Sequence, residues 1–375
     1  MAANRVNSIE IKKMNRNAIY RFLYKHEPIS IQEIAHALKM SLPTVTQNLK
    51  ELQERDLIIE TGLFESTGGR KAKAISFNSV VKYSIGLDIT RNHVGIVVID
   101  LSGKLIKNLR VQYPFVNAKE YFRGVGKLVT DFVAESKIDE GKILGVGIAL
   151  PAILSDDRQT VNYATIIDFK GGSIKSFSEF IPYPCILSND ANAGGFAEFW
   201  GDRNASNVVY LSLNNTVGGS IIIDKNIFTG QNHRSGEFGH MTIVPGGDRC
   251  YCGQKGCVDV YCSAKILSDS TNGNIAEFFR MLKLNSEPQK LIWEEYLKHL
   301  VVTVNNLRML YDCNVILGGY AGSYMGEHIG YLRKLVSKRN TFEADGNYLH
   351  VSKYKLEGTA VGAALQHIET FINDV

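Results

Sequence analysis

The chain has 375 residues, more than one typical domain, and it is 45% hydrophobic and 21% charged, as globular proteins are. No apolar run reaches the roughly 18 residues of a membrane-spanning helix, and the N-terminus is polar, so we expect neither a membrane span nor a signal peptide. The net charge of +4 lies entirely in residues 1–80, which is typical of an appended nucleic-acid-binding module.

Three helices are predicted at the start of the chain. Apolar side chains recur at helical spacing over residues 8–26, and Pro28 ends that helix. Ser30 and Glu33 form a capping-box pattern, which predicts the start of a second helix. A short turn leads to a third helix over residues 42–55, so the last two helices form a helix-turn-helix.

The third helix predicts a DNA-reading surface. Val45, Leu49 and Leu52 form its inward stripe. The side chains left facing outward are polar and can hydrogen-bond base edges and phosphates: Thr44, Thr46, Gln47, Asn48 and Lys50. We therefore expect this helix to enter the major groove.

Residues 56–77 predict two strands around a glycine-rich, basic tip, which is the pattern of a wing. Arg70 at this tip is placed to enter a minor groove, with Lys71 beside it as a second DNA-contacting cation. The alternative is a helical interaction domain whose polar face is only solvated. The wing after the helix pair favours the DNA-binding interpretation of residues 1–80.

From about residue 83 the pattern changes to strands. An antiparallel meander is followed by alternating strands and helices, and the whole series then recurs. This repeat predicts two α/β lobes facing a cleft, where ligands commonly bind.

A metal site is predicted between residues 236 and 259. Three thiols and one imidazole suit a closed tetrahedral zinc site, with the ligands His240, Cys250, Cys252 and Cys257. Gly253 and Gly256 allow the sharp bends of such a loop. A catalytic zinc is disfavoured because four protein ligands leave no position for water. The plain alternative is a group of buried cysteines that happen to be close.

The other three cysteines are interpreted as packing residues: Cys185, Cys262 and Cys313. Cys262 is close enough to the cluster to be a rival ligand. Six cysteines with three crowded together favour a reducing compartment and metal binding over a disulfide framework.

Four motifs resemble the ROK family, which contains sugar-responsive repressors and sugar kinases. They are LSNDANAGGFAEFWG (187–201), GEFGHM (236–241), CYCGQKGCVD (250–259) and VILGGYAGS (315–323). The N-terminal module resembles the winged helix of the repressor branch. The resemblance implies an α/β fold: a winged helix-turn-helix domain over 1–80, then an actin-like, two-lobed domain over 81–375. The lobes would comprise about 81–190 plus the C-terminal helix, and 191–355.

Carried over from the family, the sugar contacts would be Asn189, Asp190, Glu237, His240 and Asp259. In the kinase branch the residue matching Asp190 is the general base. His240 would use one ring nitrogen for zinc and the other for a sugar hydroxyl. Position 259 is usually Glu in the family, and the shorter Asp259 puts the usual hexose fit in question.

Both nucleotide loops depart from the kinase pattern. The first, D-x-G-G-T-K in kinases, is DITRNH here (88–93), with Thr90 and Arg91 in place of the glycines. The second, G-T-G-V-G-G-G in kinases, is NNTVGGS (214–220). These losses favour a sensor without catalytic residues, although Arg91 leaves anion binding open.

The sequence thus predicts a cytoplasmic, zinc-containing repressor that binds a palindromic DNA operator as a homodimer or tetramer. A sugar or sugar phosphate would bind between the lobes and weaken DNA binding. The alternatives are an active sugar kinase with an appended DNA-binding domain, and a zinc-finger-like interaction module.

Overall fold

Local signals account for the N-terminal elements of the structure, a computed structural model that describes residues 8–64, 72–201 and 206–375. The Ser30 hydroxyl accepts the Glu33 amide while the Glu33 carboxylate accepts the Ser30 amide, which completes the predicted capping box. The elements are α1 (Ser8–His26), α2 (Ile31–Leu38), α3 (Leu42–Glu54), β1 (Ile58–Leu63) and β2 (Lys73–Phe77). The two strands pair antiparallel, so three helices and a strand pair form the predicted winged helix.

The first large sheet carries the predicted meander. The segment from residue 83 to residue 189 contains β3 (Tyr83–Ile89), β4 (His93–Asp100), β5 (Leu105–Gln112), α4 (Lys119–Ser136), β6 (Ile143–Leu150), β7 (Ile153–Leu154), β8 (Val161–Tyr163), α5 (Lys175–Ser178) and β9 (Cys185–Asn189). The short strands β7 and β8 pair with each other in a separate two-stranded sheet, and the other five strands form the large sheet. The strand order is β5-β4-β3-β6-β9, with β4 antiparallel to β3 and β5, and β6 parallel to β3 and β9.

The second sheet repeats this arrangement. The segment from residue 190 onward contains α6 (Asp190–Gly201), β10 (Val208–Leu213), β11 (Val217–Ile223), β12 (Asn226–Ile227), α7 (Asp259–Cys262), α8 (Ala264–Ser268), α9 (Ile275–Lys283), α10 (Glu287–Tyr311), β13 (Asn314–Gly318), α11 (Gly319–Gly322), α12 (Ile329–Ser337), β14 (Leu349–Val351) and α13 (Gly358–Asp374). The strand order β12-β11-β10-β13-β14 matches that of the first sheet position by position. The repeat inferred from the sequence is therefore confirmed as two similar sheets.

Two helices join the lobes. The chain runs from β9 through α6 into β10, and α13 returns from the second sheet to pack on β3 and β6 of the first. Glycines allow this close approach, because a Cβ on Gly86 would lie 1.8 Å from the Ala360 carbonyl oxygen. Likewise, a Cβ on Gly362 of α13 would lie 1.7 Å from the Ala193 oxygen of α6. The two helices therefore cross in direct backbone contact.

The winged helix shares its core with the lobes. One continuous apolar cluster includes Ile19 and Leu49 of the winged helix, Ile99 of β4, and Phe196 of α6. Among the described residues, no helix has both the length and the apolar character needed to cross a membrane.

Candidate effector cavity, metal cluster and DNA-binding surface

Four ligand atoms of the second lobe lie within 4.8 Å of one another, and they belong to the predicted set His240, Cys250, Cys252 and Cys257. The Cys252 and Cys257 sulfurs are 3.8 Å apart, and the Cys250 sulfur lies 3.9 Å from His240 Nδ1. Two thiolates on a tetrahedral zinc, each with a bond of about 2.3 Å, are separated by about 3.8 Å. The donor set and its spacing therefore fit a tetrahedral zinc site.

A tight glycine-containing turn brings the thiols together. The Cys250 amide donates to the Gln254 carbonyl at 2.8 Å, which folds the segment back on itself. Gly253 and Gly256 have φ values of +93° and +78°, in the region that favours glycine. A Cβ on Gly256 would lie 1.7 Å from the Val244 oxygen, so other residues are excluded there.

Burial favours the uncharged form of two of the three thiols, whereas hydrogen bonds lower the pKa of the third, Cys252. Burial raises the pKa of Cys250 and raises that of Cys257 to about 12. Because metal ligands must be thiolates, a divalent cation at this position would supply the compensating charge. Cys262, the rival ligand, is buried with its sulfur 4.0 Å from Thr303 Oγ1, and the structure places it in the core outside the cluster.

The two ring nitrogens of His240 face different surroundings. Nδ1 faces the Cys250 sulfur, whereas Nε2 lies 3.3 Å from the Tyr251 hydroxyl and 4.0 Å from Glu237 Oε2. A metal on Nδ1 would leave Nε2 on the other side of the ring, where it can contact a ligand.

A cavity of ≈ 500 Å³ lies between the lobes. Its size falls within the roughly 300–1,000 Å³ range of small-molecule sites. Four of the five predicted sugar contacts line it: Asn189, Asp190, Glu237 and His240. They come from the end of β9, the start of α6 and the loop before the metal cluster, so the fold brings together residues about fifty positions apart.

Asp190 stands at the first residue of α6. Its Oδ1 accepts the Ala191 amide at 2.8 Å, and the preceding Asn189 accepts the Asn192 amide at 2.9 Å. Burial raises the pKa of Asp190 to about 7, with further increases from the charges of Asp88 and Glu237. A carboxyl that titrates near neutrality can hydrogen-bond a hydroxyl and can also exchange protons.

Asp259, the fifth predicted sugar contact, is placed differently from the other four. It is buried, it is not among the residues that line the cavity, and its Oδ1 accepts the Val217 amide at 2.6 Å. The side chain therefore holds the start of β11, and Val217 of this strand forms part of the cavity wall. This bond supports the cavity wall, and a direct sugar contact by Asp259 stays a prediction.

Several cavity residues were not predicted from the sequence. Tyr163 of β8 and Tyr251 of the metal loop are each about half exposed, at 52% and 54%, and both line the cavity. His233 and Arg234 line it as well. Tyr251 lies between two predicted metal ligands, which is a signal that could have identified it, whereas the short strand β8 carried no such signal.

A charged cluster links the two lobes near Asp190. Arg110 of β5 lies 3.5 Å from Asp88 Oδ2 and donates a short hydrogen bond to the Tyr320 hydroxyl of the second lobe. Burial raises the pKa of Asp88 to about 6, against the lowering effect of Arg110. In the turn between β3 and β4, the Thr90 hydroxyl accepts the His93 amide at 3.0 Å, so a side chain occupies a position that is glycine in the kinase pattern.

The exposed face of α3 carries most of the predicted DNA contacts. Thr46, Gln47 and Lys50 are exposed, and Thr44 is partly exposed. Asn48 corrects the prediction: it is buried, and its amide donates to the Thr44 carbonyl at 2.8 Å. Position 48 lies three residues after Val45 and four before Leu52, which places it on the inward face. Arg70 and Lys71 lie outside the described residues.

Comparison with known families gives two matches. The ROK family model matches residues 84–369, and a winged helix-turn-helix DNA-binding model matches residues 15–59. The xylose repressor of Bacillus spizizenii is 29% identical over 264 residues, or 69% of this chain and 68% of the relative. The DNA-binding transcriptional dual regulator NagC of Escherichia coli (strain K12) is 26% identical over 252 residues, or 66% of this chain and 62% of the relative.

Solved structures share the fold. A ROK family transcriptional regulator, described as a homologue of the E. coli MLC protein, aligns with a TM-score of 0.76, 18% identity and 97% coverage of both chains. A ROK family glucokinase from Streptomyces griseus, in complex with glucose and AMPPNP, aligns with a TM-score of 0.63 and 23% identity over 75% of this chain and 98% of the other.

Proposed function

The chain belongs to the ROK family, and we propose that it is a sugar-responsive transcriptional repressor whose DNA affinity changes when a sugar binds between its lobes. The observation that carries this proposal is the cavity wall itself. Asp190, Glu237 and His240 Nε2 offer convergent polar groups around a space of ≈ 500 Å³, in the same chain as a winged helix. Sugar hydroxyls are paired donors and acceptors, so carboxylates and an imidazole suit them.

Zinc would serve this cavity as a structural metal. The four ligands would hold the turn that carries Tyr251 and would fix the orientation of the His240 ring. Zinc would thus make the cavity wall beside the metal cluster rigid, and the protein side chains would supply the contacts to the sugar. Metal binding would require three of the cysteines to stay reduced, which suits a reducing compartment such as the cytoplasm.

The DNA partner would be a palindromic operator read by a homodimer. One α3 helix reaches only one half-site, so a two-fold pair of chains would read two. Names of relatives make xylose and N-acetylglucosamine the first sugars to test, with glucose from the structural comparison.

A sugar kinase is the second candidate, because Asp190 with a pKa near 7 suits a general base. Two features of the region that corresponds to the first nucleotide loop of the kinases favour a sugar sensor without kinase activity instead. The Asp88 carboxylate faces Arg110, which weakens its availability to a nucleotide-bound magnesium ion. The turn after β3 carries Thr90 and Arg91, whose side chains would crowd a nucleotide phosphate bound at this turn.

The proposal is tested first by thermal-shift measurements with xylose, glucose, N-acetylglucosamine and their phosphates, because a ligand that binds only the native state raises Tm. The stabilising sugar is then added to titrations of a duplex that the protein selects from a random-sequence pool. We expect sugar to weaken DNA binding, and we expect no sugar-dependent ATP consumption. Sugar phosphorylation by the wild-type chain would instead establish the kinase.

Gln47→Ala should relax base preference, because this exposed side chain of α3 would contact base edges directly. Arg70→Ala and Lys71→Ala should instead weaken binding to all sequences and lower its salt dependence, because cations on the wing would displace condensed counterions. Selection experiments and salt titrations separate these effects. Unchanged base preference, affinity and salt slope in all three variants would remove the DNA-binding assignment.

A further inference from the structure

Helix α6 extends from the effector cavity to the winged helix. Its first residue is Asp190, which lines the cavity, and its last full turn carries Trp200, which contacts α1. A helix of 12 residues is about 18 Å long and behaves as a rigid rod over that distance. The same helix is also the first connection between the two sheets.

A hydrogen-bonded chain ties the far end of α6 to the winged helix. Trp200 Nε1 donates to the Tyr24 hydroxyl at 3.1 Å, and that hydroxyl donates to the Leu101 carbonyl at 2.8 Å. The two rings meet edge to face at 5.8 Å, and Tyr24 is only 5% exposed. The Tyr24 hydroxyl thus joins three elements of the fold: α1, α6 and the turn after β4.

Helix α13 supports the same junction from its C-terminal end. The Asn373 carbonyl accepts hydrogen bonds from Asn17 and Arg21, and the Val375 oxygen accepts one from Arg16. Helix α13 also contacts α6 directly, so a rotation of α6 relative to the first lobe would act on the contacts that hold α1 through both helices.

We propose that α6 couples the cavity to the DNA-binding domain, with Trp200 and Tyr24 as positioning residues at its far end; this inference rests on the proposed function. Closure of the lobes on a sugar would act on α6 at Asp190. A rotation of about 10° about the first turn would displace the last turn by roughly 3 Å over the helix length. The Trp200–Tyr24 hydrogen bond cannot persist through a displacement of that size. The bond would therefore be present in the sugar-free arrangement and broken after the lobes close on a sugar.

Three conservative variants test this coupling. Tyr24→Phe removes the shared hydroxyl, and Trp200→Phe removes the indole donor. Tyr20→Phe is the matched control: it makes the same chemical change in the same helix. Tyr20 is fully buried, and its hydroxyl has no hydrogen-bond partner within the described ranges. The readout is the concentration of the stabilising sugar, from xylose, glucose, N-acetylglucosamine and their phosphates, that releases half of the selected duplex.

We expect Trp200→Phe to shift this concentration by about 2- to 10-fold, the range for one net hydrogen bond. Tyr24→Phe should shift it in the same direction and by at least as much, because its hydroxyl makes two hydrogen bonds. The double variant should shift it no further than Tyr24→Phe alone, because loss of the Tyr24 hydroxyl already removes the bond that Trp200 donates. The linkage between two ligands is reciprocal. In each variant, the factor by which the duplex changes sugar affinity should therefore equal the factor by which the sugar changes duplex affinity. Tyr20→Phe should leave the concentration unchanged.

Two results would overturn the coupling role while leaving the proposed function intact: an unchanged midpoint in both single variants, or an equal shift in Tyr20→Phe. Additive shifts in the double variant would also contradict a shared bond. A wild-type chain that binds a sugar without any change in DNA affinity would remove the proposed function, and this inference with it.

Discussion

Cys252→Ser is expected to remove the bound metal and the sugar response together. Structural zinc contributes about 10–16 kcal/mol to small zinc-binding peptides, so losing one of four ligands should greatly weaken binding. Without the metal, the turn that carries Tyr251 and the ring of His240 would lose their orientation at the cavity. We expect about one zinc per chain in the wild type, a strongly reduced content in the variant, and no sugar-dependent rise in Tm.

Cys313→Ser provides the control for this experiment. Cys313 is a partly buried thiol of the same lobe that lies outside the four-residue cluster. The Cys313→Ser variant should keep full metal content and a full sugar response. Elemental analysis and thermal-shift curves measure both quantities on the same samples. A metal-free Cys252→Ser protein with a normal sugar response would contradict the link between the cluster and the cavity.

At a pH above 7, where the Asp190 carboxyl with its pKa of about 7 is ionised, Asp190→Asn is expected to weaken sugar binding by about 1.5–3 kcal/mol, the usual value of a hydrogen bond to a charged group. The substitution preserves shape and removes the charge. DNA binding without sugar should persist, because Asp190 begins α6 whereas the contact of α6 with the winged helix is made by Trp200 near its other end, and the variant should be hard to induce. Calorimetry of sugar binding measures the loss. Asp131→Asn, on the exposed face of α4, should bind sugar normally.

The same residue predicts a pH dependence. The pKa of Asp190 is raised to about 7, so the carboxylate is protonated below that pH and ionised above it. If the carboxylate is the form that binds sugar, affinity should rise as pH increases toward 7 and level off above it, with a limiting slope of about tenfold per pH unit on the acid side. Asp190→Asn should abolish this component. A wild-type affinity independent of pH between 5 and 8 would show that Asp190 does not bind as the carboxylate.

Features encoded within a few residues were predictable from the sequence alone. Three features depend only on residues that are close in sequence: the capping box of Ser30 and Glu33, the inward stripe of α3 and the spacing of the cysteines. Each of them lies within three helical turns or one loop. The repeated strand series predicted the two sheets, because pattern and strand order recur together. Asn48 was also within reach of the sequence, since its helical position groups it with Val45 and Leu52.

Tertiary packing decided what residues far apart in the chain do together. Asp259 belongs to a motif that predicts a sugar contact, and its carboxylate accepts the Val217 amide, a bond that only the placement of β11 reveals. Tyr163 and Tyr251 line the same cavity because the two lobes face each other. The Trp200–Tyr24 bond spans 176 positions, and no local pattern marks it. Periodicity and spacing report on neighbours along the chain, whereas contacts between lobes depend on how two helices cross between two sheets.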